Sequence, residues 1–293
     1  MRIFVTGANG FIGGAVASTL VAAGHTVRGL VRDKTKAAAI ATHGIEPIIG
    51  TLDDSALLQS EARAADAVIN AASSDHRGAV EALIAGLAGS GKPLIHSSGS
   101  SIVADLAMGE PSERIFDEAT PVEPMADKAA RVAIDRLVLG AAGIRSVVLC
   151  NTMIYGHALG PPAQSVQIPA LVRQAKASGV VRYIGRGLNR WSNVHIADVA
   201  ALYLLALAKA PAGTFIYVET GEAALGEIAE AIAARLGLGA AQSFSAAQAI
   251  AAWGRNMAVF SLGSNSRVRG KAAAALGWAP ARRSVTEWIT NEL

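Results

Sequence analysis

Short apolar runs alternate with segments of helical periodicity through the first half of the chain. Nearly continuous apolar strands between helices are typical of a parallel sheet whose two faces are both covered. Right-handed crossovers then give an α/β fold with a doubly wound parallel sheet. The predicted strands are Arg2–Thr6, Thr26–Val31, Ile45–Ile49, Ala67–Asn70, Pro93–Ser97 and Arg145–Asn151. The predicted helices are Phe11–Ala23, Thr35–Ala41, Ser55–Ala64, Gly78–Gly89 and Asp127–Ala142.

The alternation loosens in the second half, beginning with the glycine- and proline-rich stretch Gly156–Pro162. Shorter apolar runs follow, which indicates a smaller and more irregular lobe. We expect Asp198 to cap a helix over Val199–Ala210, because aspartate is a favoured N-cap residue. Further elements are expected at Ile168–Ser178, Val181–Tyr183, Trp191–Val194, Thr214–Val218, Leu225–Leu236, Ser245–Trp253 and Ser284–Leu293. The predicted units are a doubly wound domain over residues 1–155, to which the chain returns around 191–216, and an α+β substrate lobe mainly over 156–293.

The first predicted strand leads directly into the glycine-rich turn Thr6-Gly7-Ala8-Asn9-Gly10-Phe11-Ile12-Gly13 and the first predicted helix. Gly7 permits a tight turn, Gly10 lets the backbone approach a phosphate, and Gly13 lets the helix pack closely on the sheet. The helix N-terminus then offers free N–H groups to a pyrophosphate. The alternative is a glycine-rich turn without a ligand. We expect a dinucleotide to bind through Gly7, Asn9, Gly10, Phe11, Ile12 and Gly13.

The composition argues against several classes of protein. Hydrophobic residues make up 52% of the 293 residues and charged residues 17%, which is unlike a disordered chain. The longest apolar run, Val199–Ala208, is shorter than the roughly 20 residues that cross a bilayer. The first apolar run leads into the glycine turn and does not have the pattern of a signal peptide. A net charge of +3 without a lysine and arginine block gives no support for nucleic-acid binding.

Cysteine and histidine usage narrows the chemistry further. The single cysteine, Cys150, excludes an internal disulfide, and because it lies in an apolar run we expect a buried thiol rather than a reactive one. The six histidines are scattered without metal-ligand spacing, so no metal site is predicted. Together with the composition, this usage predicts a cytoplasmic protein that binds neither membranes nor nucleic acid.

Several further short motifs follow the predicted strands, and others lie toward the C-terminus. They are Asn70-Ala71-Ala72, His96-Ser97-Ser98-Gly99-Ser100, Lys128, Tyr155-Gly156, Asn193-Val194-His195-x-x-Asp198-Val199-Ala200 and Leu276-Gly277-Trp278-x-Pro280. With these motifs and the glycine turn, nearly the whole chain resembles the short-chain dehydrogenase/reductase superfamily, in particular its extended and atypical branch of NAD-dependent epimerase/dehydratase-like proteins. The resemblance implies a Rossmann-fold NAD(P)-binding domain, a C-terminal substrate lobe and hydride transfer, sometimes within an epimerisation or dehydration cycle.

The chain departs from the family at its catalytic pair, Tyr-x-x-x-Lys. Lys128 fits the lysine, which the resemblance places against the nicotinamide ribose, but the tyrosine position is Pro124. Proline has no proton to give, so the family's usual mechanism cannot operate unchanged. The family's Ser/Thr that hydrogen-bonds the substrate oxygen falls on Gly99, with Ser98 and Ser100 beside it as candidate replacements.

The resemblance also indicates which residues border the cofactor. Arg32 follows the second predicted strand, where NAD-dependent relatives have an acidic residue for the ribose 2′-hydroxyl, and a guanidinium there suits the 2′-phosphate of NADP. The alternatives are NAD, with Asp33 on the ribose, and a solvated surface arginine. We expect Ala71 and Ala72 to border the nicotinamide half and Leu52 to pack near the adenine.

Two side chains could replace the missing tyrosine as proton donor. His76 follows the fourth strand, where Asp75 could orient its imidazole, although an exposed histidine beside a helix cap is the alternative. Tyr155 stands where the chain enters the second lobe and could donate a proton from a new position, or could simply pack in a pocket wall.

Taken together, the motifs predict an NADP(H)-dependent oxidoreductase that acts on a small carbonyl-type substrate with a non-standard proton donor. A nucleotide-sugar epimerase or dehydratase is an alternative, although such enzymes rely on the missing tyrosine. A regulator that senses NADP without turnover is another. The expected partners are a small-molecule substrate and, following the family's habit, a second copy of the chain in a homodimer.

Overall fold

Seven of the twelve strands build one parallel sheet. The computed structural model describes all 293 residues. In chain order the strands are β1 Arg2–Thr6, β2 Thr26–Val31, β3 Glu46–Ile49, β4 Ala67–Asn70, β5 Pro93–Gly99, β6 Arg145–Asn151, β7 Met153–Tyr155, β8 Arg182–Ile184, β9 Arg190–His195, β10 Thr214–Val218, β11 Gly221–Ala224 and β12 Gln242–Phe244.

Twelve α-helices connect and cover the strands. They are α1 Phe11–Ala22, α2 Lys34–Ala41, α3 Ser55–Ala64, α4 Arg77–Leu87, α5 Ala126–Leu139, α6 Gln167–Ser178, α7 Ile196–Lys209, α8 Leu225–Arg235, α9 Ala246–Trp253, α10 Arg255–Met257, α11 Ala272–Ala275 and α12 Val285–Glu292. A 3-10 turn follows β5 at Ser100–Val103, and a π-helical turn follows α10 at Ala258–Leu262.

The large sheet has the order β10-β6-β5-β4-β1-β2-β3, so the strand order reverses between β1 and β4. From β1 the chain moves outward to β3, then crosses over to β4 and moves outward in the other direction. In sheets of this kind ligands bind beyond the carboxyl ends of the strands at the reversal point. The topology confirms the predicted doubly wound parallel sheet.

Alternating strand residues bury the two faces of this sheet in separate apolar layers. Ile3 and Val5 pack in the layer that α1 and α7 cover, whereas Phe4 packs in the layer that α3, α4 and α5 cover. Successive side chains of a strand point to opposite faces, which explains why strands buried on both sides are apolar throughout.

The second lobe has its own core and two small sheets. Strands β11, β9 and β7 form a mixed sheet, and β12 pairs with β8. Residues of α6, α8, α9 and α12 bury a separate apolar cluster that includes Tyr155, Trp191 and Trp288. Meanwhile α7 packs on α1, and β10 joins the large sheet beside β6. The smaller mixed-sheet region agrees with the predicted fold class.

The predicted cap at Asp198 is wrong. Helix α7 begins earlier, at Ile196, and His195 is its N-cap: the ring Nδ1 accepts the backbone N–H of Ala197 at 3.2 Å. Asp198 lies in the first turn, where its carboxylate accepts the backbone N–H groups of Ala281 and Arg282 at 2.9 and 3.1 Å. It therefore attaches the C-terminal segment to α7.

Two further features bear on the sequence analysis. Cys150 is fully buried, and burial raises the pKa of its thiol, so it is a structural residue as expected. The helices lack the combination of length and apolarity that a transmembrane span requires.

The cap on α7 predicts a pH-dependent stability. Because burial lowers the pKa of His195 from 6.5 to about 4, the unfolded chain binds a proton there before the folded chain does. Stability should therefore fall as the pH drops from 6.5 toward 4, by roughly 2 kcal/mol at about pH 5 from this group. Asparagine also caps helices but does not titrate, so His195→Asn should lose that share of the pH dependence. Urea unfolding of the wild type and the variant near pH 7.5 and pH 5 tests this prediction. Equal losses of unfolding free energy in the two proteins between these pH values would contradict it.

Candidate cofactor cleft and active site

The glycine turn between β1 and α1 leaves no room for side chains. Gly7 has φ +71°, and a Cβ there would lie 2.7 Å from the carbonyl oxygen of Ala71. A Cβ at Gly13 would lie 2.2 Å from the carbonyl oxygen of Gly7. Gly10 is the N-cap of α1, and no side chain caps this helix. The uncapped helix start fits a diphosphate, which its N–H groups and dipole would hold.

A cavity of about 520 Å³ opens at the carboxyl edge of the sheet, between the two lobes. The glycine turn contributes Gly10, Phe11 and Ile12, and the segment after β4 contributes Ala71 and Ala72. Other lining residues come from the end of β5, from α5 and from the second lobe: Ser98, Gly99, Ser100, Ser101, Lys128, Arg131, Trp191, Asn256, Met257 and Phe260. Of the predicted site residues, the cavity thus brings together Gly10, Phe11, Ile12, Ala71, Ala72, Ser98, Ser100 and Lys128, whereas Asn9 lies half-buried in the turn outside it.

Lys128 enters the cavity from the first turn of α5. Its Nζ lies 3.4 Å from Asn256 Oδ1 and 4.7 Å from the centroid of the Phe260 ring, so both contacts come from the second lobe. Only 7% of the residue is exposed. Burial lowers the pKa of its ammonium, and nearby Arg131 lowers it further.

Arg131 lies one helical turn after Lys128, and the sequence analysis did not identify it. Its Nε and Nη2 donate to the two carboxylate oxygens of Asp75, and its Nη1 donates to Ser101 Oγ at 3.0 Å. The bond with Arg131 is the main reason why the pKa of the Asp75 carboxyl is lowered. A lone arginine on a helix gives no local signal of this role, because its partner Asp75 lies 56 residues earlier in the chain.

A buried polar chain runs from the cavity wall into the α5 face of the sheet. Ser98 Oγ donates to Asp135 Oδ2 at 2.7 Å, and His96 Nε2 lies 3.6 Å from Asp135 Oδ1. Asn70 then joins His96 Nδ1 to the hydroxyl of Thr6. Burial raises the pKa of Asp135 to about 7 and lowers that of His96 to about 4, because neither charge is easily solvated there. The sequence analysis missed this pair, which only the packing of α5 on β5 creates.

Ser98 and Ser100 are both bound to protein partners. The Ser98 hydroxyl is held by Asp135, as described above. Ser100 is 1% exposed, and its hydroxyl lies 2.8 Å from the hydroxyl of Ser266, which comes from the segment after the π-helical turn. Both residues border the cavity, and Ser100 also ties its floor to the second lobe.

The two candidate proton donors, His76 and Tyr155, do not line the cavity. His76 caps α4, since its Nδ1 accepts the Ala79 N–H at 3.0 Å, and its Nε2 lies 3.1 Å from Asp53 Oδ1. Tyr155 is fully buried in the second lobe, where its ring packs on His195 and Trp288, and burial raises the pKa of its hydroxyl. Neither His76 nor Tyr155 is therefore placed to give a proton to a molecule bound in the cavity.

Arg32 follows β2, which pairs with β1 on the side away from β4. Its side chain is exposed and forms no hydrogen bond or ion pair. Asp33 is not free, because it caps α2 by accepting the Lys36 N–H at 2.9 Å and pairs with the Lys36 ammonium at 3.3 Å. Leu52 packs on the apolar layer of α3 and α4, outside the cavity. No group of three or more potential ligands is placed to hold a metal ion.

Comparisons with known proteins can be set beside this geometry. A model of the NmrA-like family matches residues 1–133, and a model of the NAD dependent epimerase/dehydratase family matches residues 74–218. The oxidase ucsJ of Acremonium sp is 32% identical to the chain over 95% of the chain and 92% of its own length.

A more distant relative and a solved structure complete the comparison. The 4-hydroxy-2-methyl-3-oxo-4-farnesyl-3,4-dihydroquinoline-1-oxide ketoreductase of Stigmatella aurantiaca is 28% identical over 75% of this chain and 69% of its own length. The solved structure of dTDP-glucose 4,6-dehydratase from Bacillus anthracis in complex with NAD matches with a TM-score of 0.78 over 99% of this chain and 95% of that chain, at 18% identity. At this identity the likeness concerns the fold.

The turn geometry predicts a specific defect for Gly10→Ala. The added Cβ would lie 3.2 Å from the Gly7 carbonyl oxygen, on the approach of a diphosphate to the start of α1, while the extended backbone at residue 10 accepts alanine. The dissociation constant for NADPH should rise about tenfold, which corresponds to the loss of about one hydrogen bond, and thermal unfolding checks that the variant remains folded. Gly78→Ala, where the nearest atom would be 3.9 Å away, is the matched control. Calorimetric titration of both variants with NADPH tests this prediction. Equal affinities for NADPH would contradict binding of the diphosphate at the start of α1.

Proposed function

Since the chain belongs to the NmrA-like and NAD-dependent epimerase/dehydratase group of the extended short-chain dehydrogenase/reductase superfamily, we propose that it is an NADP(H)-dependent oxidoreductase that reduces, or reversibly oxidises, a small carbonyl-type substrate. Proteins of this family bind NAD(P). The names of two relatives, an oxidase and a ketoreductase, support redox chemistry at this site.

One observation carries the proposal: Lys128 is the only residue lining the cavity, apart from Arg131, that has an ionisable side chain. The other lining side chains are apolar, hydroxyl or amide groups, apart from Arg131, whose guanidinium does not release its proton. A carbonyl reduction needs one proton on the substrate oxygen, and Pro124 cannot supply it. Lys128 is therefore the residue to which we assign the proton.

The chemistry divides between the cofactor and the chain. Bound NADPH would supply a hydride to the carbonyl carbon, which is the step that protein side chains cannot perform. As charge moves to the carbonyl oxygen, the Lys128 ammonium gives that oxygen a proton, directly or through one water, and becomes a neutral amine. The products are the alcohol and NADP⁺. The lowered pKa of Lys128 favours this transfer, because a less basic amine releases its proton more readily.

The preference for NADP(H) rests on the side chains after β2. Arg32 is exposed and has all of its donors free, whereas Asp33 is engaged with Lys36. A free guanidinium can form two charge-assisted hydrogen bonds with a 2′-phosphate, and a carboxylate held in a helix cap is poorly placed to bind a ribose hydroxyl.

A regulator without turnover is a second candidate, and Pro124 at the family's tyrosine position favours it. The NmrA-like family includes non-catalytic members. Single-turnover oxidation of bound NADPH across a panel of aldehydes and ketones separates the two candidates. Consumption of NADPH supports the oxidoreductase. Tight binding of NADPH that no substrate ever consumes supports the regulator.

Cofactor preference should depend on Arg32. Replacing it with alanine should lower the affinity for NADPH about tenfold and leave that for NADH unchanged, because only NADPH carries the 2′-phosphate. Arg63→Ala, which removes an exposed arginine of α3, is the control. Calorimetric titration of the three proteins with both cofactors checks this. Equal losses of affinity for NADPH and NADH would show that Arg32 does not bind the 2′-phosphate.

Turnover should depend on Lys128 and on its protonation. Lys128→Met should lower the rate of reduction by roughly a hundredfold, the lower end of what a general acid contributes. In the wild type, reduction should slow and oxidation should accelerate as the pH rises through the lowered pKa of Lys128, because reduction uses the ammonium and oxidation the amine. The variant should lack this pH dependence. Lys176→Met, at an exposed position of α6, is the control, and an unchanged profile in Lys128→Met would remove the lysine from the mechanism.

A further inference from the structure

We propose that Arg131 is a second catalytic residue, whose Nη1 binds the reacting carbonyl oxygen in the cavity beside Gly99. The inference rests on the proposed function and names the group that holds the substrate oxygen while Lys128 supplies the proton.

Arg131 keeps part of its hydrogen-bonding capacity available. A guanidinium has five N–H groups. Asp75 takes one from Nε and one from Nη2, and Ser101 takes one from Nη1. One N–H therefore remains on each of the two terminal nitrogens. The side chain is 18% exposed and lines the cavity, so these donors are accessible to a bound molecule rather than sealed in the core.

Gly99 keeps the approach to Arg131 Nη1 open. A Cβ at residue 99 would lie 3.4 Å from Nη1, which is van der Waals contact. Gly99 has φ −144°, an extended conformation that any residue adopts, so backbone geometry does not explain the glycine. Its lack of a side chain has one visible consequence: the end of β5 does not cover the guanidinium on the cavity side.

The charge around Arg131 determines which chemical group it is suited to bind. Asp75 holds the guanidinium by a two-point ion pair, so the pair carries no net charge. A neutralised but rigid guanidinium is suited to a polar oxygen on which negative charge develops during the reaction, rather than to a substrate that arrives as an anion. Lys128 lies one turn earlier on the same helix and lines the same cavity, so a single bound carbonyl group could contact both side chains.

Two variants test the proposal on the full-length protein. Arg131→Lys keeps the positive charge but removes the several N–H donors of the guanidinium. Gly99→Ala leaves the ion pair between Arg131 and Asp75 intact and places a methyl group against Arg131 Nη1. We expect both to lower kcat for carbonyl reduction roughly a hundredfold, the usual loss for one donor to a developing oxyanion, while the dissociation constant for NADPH stays within about threefold. Gly239→Ala, where no atom lies within 4 Å of the new methyl group, is the control. If both variants keep at least a third of the wild-type kcat, the proposal is overturned.

A binding experiment separates this proposal from the proposed function. Isobutyramide presents a carbonyl oxygen but is not reduced, so its affinity for the NADPH-loaded protein can be measured whether or not any substrate turns over. Binding to the wild type that weakens about tenfold or more in Arg131→Lys and Gly99→Ala supports the oxygen site, even where no carbonyl compound is consumed. Equal affinity in all of these proteins, or no binding to the wild type, overturns it.

Discussion

The close approach of α1 to β1 is the constraint on which the site depends. Only glycine fits at residues 7 and 13, because a Cβ at either would meet backbone atoms at 2.7 or 2.2 Å. This contact sets the distance between the uncapped start of α1 and the end of β4, where Ala71 and Ala72 follow. Residues of this junction line the cavity, so the turn fixes both the uncapped start of α1 and one wall of the cavity.

Helix α5 is the second determinant, because it carries three ionisable groups at successive depths. Lys128 and Arg131 line the cavity, and Asp135 is buried between α5 and β5. Each group has its own partners: Asn256 and Phe260 for the lysine, Asp75 for the arginine, His96 and Ser98 for the aspartate. Burying a charge costs stability unless it is paired, and of the three only Arg131 has an oppositely charged partner in a close ion pair. For Lys128 and Asp135, burial instead shifts the pKa toward the neutral form.

Local patterns were enough to predict the strands of the large sheet to within a residue or two, as well as the glycine turn and the fold class, because each depends on neighbours in sequence. Positions decided by distant partners were not predictable in the same way. Asp198 looks like a helix cap but binds Ala281 and Arg282, and Arg131 and Asp135 acquire partners only when β4 and β5 pack beside α5. Tyr155 ends a strand, as expected of a site residue, but that strand belongs to the second lobe.

The missing tyrosine is easier to understand when Lys128 and Arg131 are considered together. A phenol both donates a proton and hydrogen-bonds the substrate oxygen, whereas here the two tasks can be divided between two cations on adjacent turns. Placing them so close is unfavourable, and Arg131 accordingly contributes to the lowered pKa of Lys128. Asp75 pairs with the arginine and lessens this repulsion, whereas the burial of Lys128 remains. Burial is thus the main reason why the pKa of Lys128 is lowered, and the nearby arginine adds to the effect.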